Sequence, residues 1–296
     1  MAARSEVAQN AAPGSKLASS LIPREHGAWL ILLIPMLAGT VLSAAELRGF
    51  ALLRLLLVTV GALCAFTGGS AAEAVLRRNQ SVRCSTPVVA VLAISACCGV
   101  GLLLTVQRHA MLSIIILIAP VLLIRVLAQV AAGKNRPDKT IMGELLATII
   151  LTATGPAARA ALCDRFDSAS LWLWVLSVAF FSGGIVYVKM QLAAAKYRAN
   201  WGTAKRVNIS VPTLGWIGLM LASALLLMSR QPFSGSRSIR WLVLCAFGPG
   251  FIRACIGIMR LQPRVPVLKR VGMIEAALAT AFLCAVIPLV NALTKP

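Results

Sequence analysis

The chain is predicted to fold as an all-α polytopic transmembrane bundle of about nine spans. Three observations carry this: the lengths of its apolar stretches, the one-sided placement of its Lys and Arg residues, and a composition that is 59% hydrophobic. The apolar stretches lie at 27–45, 50–72, 87–106, 110–129, 142–162, 170–188, 210–229, 241–258 and 271–290. Each runs for roughly 17 to 23 residues, the length a helix needs to cross hydrocarbon.

In chain order, the first 20 residues, MAARSEVAQNAAPGSKLASS, are rich in Ala and Ser and contain no apolar core. A secretory signal needs such a core, so residues 1–26 are expected to form a disordered cytoplasmic tail, and 27–296 a single transmembrane domain. The first span opens on PREHGAW, where Pro23 and Trp29 bracket Arg24, Glu25, His26 and Gly27 at headgroup level. The second ends in Ser70, Glu73 and Arg77, whose spacing puts them on one helical face, with Arg78 following. Spans three and four are almost featureless apart from Arg125, five residues before Val130. The fifth is led in by NRPDKTIMGE, with Arg136 and Lys139 ahead of Gly143 and Glu144. The sixth runs into a basic connection containing Lys189, Lys196 and Arg198; the eighth contains Arg253. LKRVGMIE leads into the ninth, placing Lys269 and Arg270 before Gly272 and Glu275.

Positive residues are retained on the cytoplasmic side of a membrane. With the N-terminus inside, 20 of the 29 Lys and Arg residues fall on the inner face and 9 on the outer. That predicts N-terminus in, C-terminus out and an odd number of spans. The expected setting is a bacterial inner membrane. The connection with Arg230, Arg237 and Arg240 is basic yet outside, the least regular point of the pattern.

A net charge of +20 in a soluble protein would point to nucleic acid, whose phosphates dominate such binding. Here topology accounts for the charge, so nucleic acid is excluded as a partner. Membrane lipids are expected instead, since each Lys or Arg near an anionic surface gains about 1 kcal/mol. Six of the eight cysteines lie inside spans, and no CxxC pair occurs. They read as small buried hydrophobes rather than metal ligands or disulfides.

The nine acids carry more information. Glu25, Glu73, Glu144 and Glu275 all lie at the inner ends of spans, while Glu46, Asp164 and Asp167 lie in short outer connections. A charge at membrane depth costs roughly 2.5 to 3.5 kcal/mol on insertion scales, so such groups face a protein interior and carry function. A carboxylate in a helix's first turn is also favoured by the helix dipole, by about 0.3 to 1 kcal/mol, which explains any one of them singly. Four together, with His26, point to a shared polar cavity open to the cytoplasm. Arg125 and Arg253 either snorkel to the surface or hold an anion. Breakers at Pro35 to Gly39, Gly68 to Ser70, Gly155 and Pro156, Gly183 and Gly184, and Gly248 to Gly250 serve close helix packing ahead of cavity formation.

PREHGAWLILLIPMLAG resembles the opening signature of the YwiC-like family of bacterial membrane proteins. Gly143 with Glu144, and Lys269 and Arg270 with Gly272 and Glu275, match later features of that family. The resemblance implies a polytopic membrane protein and carries no biochemical role. More distantly, nine spans with the N-terminus inside, and a Gly-Glu-Leu helix leading to Gly-Pro, resemble the UbiA superfamily of intramembrane prenyltransferases. That likeness implies magnesium held by aspartate-rich connections after spans two and six. Here those connections read GGSAAEAVLRRNQ and VYVKMQLAAAKYR, without an aspartate. Magnesium on a diphosphate needs several hard carboxylates, so no metal or other cofactor is expected.

Two functions remain. In the first, a UbiA-like scaffold without metal chemistry binds or moves an amphipathic anion, isoprenoid or other lipid-like molecule, using His26, Glu73, Arg77, Arg78, Arg136 and Lys189. Arg77, Arg78, Glu144 and Glu275 should then converge on one cavity. In the second, a membrane transferase works without the aspartate-rich site, Glu144 or Glu275 acting as general base.

Overall fold

The computed structural model describes residues 26–78, 86–132, 140–197, 202–229, 236–262 and 268–294. The expected tail and Arg136 fall outside them. Among the described residues there are helices and no strands. In order they are α1 (His26–Leu42), a 3-10 turn (Ala44–Glu46), α2 (Phe50–Arg78), α3 (Thr86–Thr105), α4 (Arg108–Ala132), α5 (Ile141–Thr152), α6 (Thr154–Cys163), α7 (Ser168–Lys196), α8 (Thr203–Ser229), α9 (Ser236–Met259) and α10 (Leu268–Thr294). Seven spans long and apolar enough to cross a membrane lie within α2, α3, α4, the α5–α6 pair, α7, α9 and α10. α1 is apolar but shorter, and α8, which holds the stretch expected at 210–229, is not among the seven.

Several helices outrun their apolar stretches. α2 continues to Arg78 and α7 to Lys196, so Lys189 sits in a helix and not in a connection. QLAAAK is made of strong helix formers, and the backbone leaves the hydrocarbon still hydrogen-bonded. α10 begins at Leu268, which puts Glu275 in its second turn instead of at its opening.

Large apolar side chains are exposed along α2, α3 and α4, including Phe50 at 76%, Leu104 at 80% and Ile116 at 67%. In water so extensive an apolar surface would aggregate; in lipid it is the wetted surface. The protein is an integral membrane protein. Its densest core lies among α1, α7, α9 and α10, where Leu173, Phe282, Val286, Leu289 and Val290 are fully enclosed. Phe180 stacks on Phe282 at 4.2 Å, with Phe181 and Phe247 edge-on to the same ring.

Most of the breaker residues do not break helices. Pro35 lies within α1, Gly68 and Gly69 within α2, Gly183 and Gly184 within α7, and Pro249 within α9. Gly39, Gly68, Gly155, Gly183 and Gly184 serve close packing, whereas Gly69, Gly248 and Gly250 face open space. A Cβ on Gly39 would stand 2.2 Å from the Gly155 carbonyl oxygen, so α1 and α6 cross backbone to backbone. The helix does break at Ala153, between α5 and α6. The Ala153 N–H turns to the Ile150 carbonyl, and the Trp174 indole N–H reaches the Ile149 carbonyl at 3.0 Å. The Thr154 hydroxyl, 2.7 Å from the Leu32 carbonyl, ties the break to α1. Backbone groups freed inside a bilayer must find such partners.

Three of the connections expected on the outer face, those after α1, α3 and α6, meet. Asp164 closes α6 in the left-handed conformation at φ 57°, which a short polar side chain tolerates. It accepts the Gln107 N–H at 2.6 Å and pairs with Arg54 at 3.3 Å, joining the starts of α2 and α4. Asp167 caps α7 through the Ser170 N–H and holds Arg159 at 2.7 and 3.1 Å; Arg159 also reaches the Leu42 carbonyl and Ser43. Burial alone would raise the Asp167 pKa. The Arg159 guanidinium and the Ser170 N–H outweigh that and hold it down at about 2.

Candidate functional site

At the opposite end from this latch, α7 and α9 finish and α10 begins, with Lys189, Lys196, Arg206, Arg253 and Arg270 distributed over four helices and Arg260 just beyond the end of α9. The last turn of α9 would expose carbonyls there. Arg206 of α8 donates to two of them, Ile258 at 3.0 Å and Met259 at 2.5 Å, a cation placed where the helix dipole favours one.

Inside this end, Arg253 and Glu275 form an ion pair at 2.5 Å with side chains 14% and 23% exposed. Arg253 is six residues before the end of α9 and Glu275 seven after the start of α10. At 1.5 Å per residue, both lie about 10 Å from their helix ends. The Arg253 guanidinium also lies over the Tyr187 ring, 4.2 Å from its centroid. Glycines create the room. A Cβ on Gly257 would come 2.3 Å from Tyr187, one on Gly183 2.2 Å from Trp216, and one on Gly184 3.2 Å from the Glu275 carboxylate.

Two cavities meet at Arg253. The inner one, about 20 Å³, lies against Phe180, Trp216, Phe247, Tyr187 and Glu275 and has room for about one water. The outer one, about 390 Å³, is an open groove between α7, α9 and α10. Pro249, Ile252, Ile256 and Ile274 make its apolar wall, and Tyr187, Gln191, Arg253 and Arg260 its polar one. Glu275 lines the inner cavity but not the groove. Among the described residues the groove therefore presents two guanidinium groups and no carboxylate beside an apolar wall.

Of the residues singled out in the sequence, Glu275 is at this site and Glu144 is not. Glu144 pairs with Lys189 at 2.7 Å, at the first turn of α5, which Thr140 caps through the Gly143 N–H. Both acids attach to α7, Glu275 against Gly184 and Glu144 against Lys189. Five residues apart on a helix is roughly 140° of rotation, so the two acids occupy different faces of α7. His26 begins α1, and Glu73, Arg77 and Arg78 end α2. The backbone carries both ends away from the latch, to the basic end of the molecule; the four side chains are outside the description. Trp29 of the HGAW sequence packs edge-on against Phe66 of α2 at 5.0 Å, joining the first two spans.

Tyr187, Trp216, Gly257 and Arg260 had no sequence signal that separated them from neighbours of their type. Arg159 had one: it is a charge within the 142–162 stretch. Among the described residues no three His, Cys, Asp or Glu side chains gather as metal ligands.

Residues 22–159 match the YwiC-like protein family, a little under half of the sequence. Over those residues the resemblance carried by PREHGAW and by Gly143 with Glu144 is borne out. The groove, built from α7, α9 and α10, lies beyond the matched residues. No curated protein and no solved structure matches the chain.

Proposed function

We propose that this membrane protein binds or moves an amphipathic anion, and that the groove between α7, α9 and α10 is where it does so. One observation carries the reading: among the described residues two arginines, Arg253 and Arg260, share an open cavity with four apolar side chains and no carboxylate. A guanidinium fork suits a phosphate or carboxylate head, and the apolar wall suits a chain. With 20 of 29 positive residues on this side of the sequence pattern, the groove faces the cytoplasm and the latch of Asp164 and Asp167 faces out. A bacterial inner membrane and a UbiA-like scaffold relieved of metal chemistry belong to the same reading, as do binding roles for His26, Glu73, Arg77, Arg78, Arg136 and Lys189.

The transferase alternative would use Glu144 or Glu275 as general base. Each instead contacts a cation, Lys189 and Arg253 respectively. That is how a counter-ion is placed, so geometry favours binding over base catalysis.

The test is mass spectrometry of molecules that copurify with the protein in native lipid discs, comparing the parent with an Arg253→Ala, Arg260→Ala double variant. A defined amphipathic anion in the parent that is lost from the double variant is the expected result. Equal bulk lipid in both would contradict the reading.

A further inference from the structure

Arg253 is held from one side and open on the other. Its guanidinium contacts Glu275 across the inner cavity and stacks on Tyr187, yet the same residue lines the groove, where no acid faces it. The pairing with Glu275 is imperfect. Glu275 Oε1 is buried and makes no hydrogen bond of normal geometry, although Arg253 Nη1 is its close neighbour. The contact runs through one guanidinium nitrogen and one carboxylate oxygen, which leaves the rest of the Arg253 fork for a second anion.

Resting on the groove as the binding site, we infer that Glu275 is a resident counter-ion for Arg253, exchanged for the phosphate of an anionic phospholipid that enters from the bilayer. Arg253 and Arg260 then hold the phosphate, while Ile252, Ile256 and Ile274 cover the acyl chains. Arg253 swings from the inner cavity to the groove without leaving α9, and Tyr187, kept close by the bare Gly257, supports it in both positions. No covalent step is involved. The polar groups facing the exchange are Arg253 on α9, Arg260 just beyond its end, Glu275 on α10, and the Tyr187 phenol and Gln191 amide on α7.

This assigns opposite signs to two partners of one ion pair. A purely structural pair would be weakened by losing either member. In the exchange, Glu275→Gln frees Arg253 and tightens binding, whereas Arg253→Ala removes the acceptor site. Glu275→Asp keeps the charge but shortens its reach, and also tightens binding.

The experiment is native mass spectrometry in detergent of the parent and these three variants. The probes are dioctanoyl phosphatidic acid, dioctanoyl phosphatidylcholine and inorganic phosphate, with thermal melting of each variant as the check on folding. Glu275→Gln and Glu275→Asp should bind phosphatidic acid about tenfold more tightly than the parent, the scale of one competing charged hydrogen bond. Arg253→Ala should bind it at least about tenfold more weakly. If folded Glu275→Gln and Glu275→Asp bind no better than the parent while Arg253→Ala loses the lipid, the exchange is overturned and the groove stands. If Arg253→Ala binds as the parent does, the groove itself falls. Inorganic phosphate bound as well as phosphatidic acid would overturn the lipid assignment in favour of a soluble phosphate, and equal binding of phosphatidylcholine would overturn the selection for an anion.

Discussion

Asp167 shows how much one side chain can hold in place: it caps α7, binds Arg159 through two oxygens, and keeps a buried guanidinium paired where three helices meet. Its folded pKa of about 2 lies below the ordinary 3.8, so its contribution is present above about pH 4 and is lost as pH falls through about 2. The difference corresponds to about 2 kcal/mol. Thermal melting in detergent between pH 5 and pH 2, read on the parent and on Asp167→Asn, should show a fall in the parent that the variant lacks. Asp167→Ala should cost more, about 3 kcal/mol, because Arg159 is left as an uncompensated buried charge. At the other end, Gly257→Ala sets a methyl group against Tyr187 and should loosen its contact with Arg253. Weaker retention of the copurifying anion with little change in melting temperature is the expected pair of readings. Arg253, Glu144 and Glu275 stood out in the sequence because a charge near hydrocarbon has few neutral explanations. Their partners did not, since Glu144 to Lys189 and Glu275 to Arg253 are choices made by helix packing, and a Tyr or Gly is marked only by what it touches.

Helix boundaries follow a similar logic. Apolar length located the spans, but hydropathy ends where the lipid ends, and α7 continues to Lys196 because QLAAAK is made of strong helix formers. The one such break among the described residues, at Ala153, lies just ahead of Gly155 and Pro156, one of five candidate sites that all contain Gly or Pro. What distinguishes it is tertiary: Trp174 and Thr154 stand ready to take up the freed carbonyl and tie the ends. Trp174→Phe removes the indole N–H while keeping the ring, leaving the Ile149 carbonyl without its partner. A loss of about 1 to 3 kcal/mol by reversible unfolding is expected. Gly39→Ala should cost about as much, since the added methyl forces α1 away from α6 by more than a side chain can absorb. Stability equal to the parent would mean that the two helices do not cross as described.

Over the whole molecule, the alternation of the chain between two faces is visible in contacts: 42–43, Arg54, Gln107, Arg159, Asp164 and Asp167 meet at one end, while the ends of α7 and α9 and the start of α10 meet at the other. In the proposed orientation, which rests on the distribution of positive residues, the second end faces the cytoplasm. Single cysteines at Gly49 and Gly202, introduced with the native thiols replaced, test this in intact cells: an impermeant maleimide should label the first and spare the second. Electrostatics and shape agree at this scale, since the groove opens at the basic end, where anionic headgroups concentrate. The central claim is that an amphipathic anion occupies that groove. A density map of the protein in native lipid discs tests it most directly. The account predicts an elongated non-protein feature along Ile252 and Ile256, its head within hydrogen-bond distance of Arg253 and Arg260. A clear groove, with Arg253 turned to Glu275 and bulk lipid alone around the protein, would contradict it.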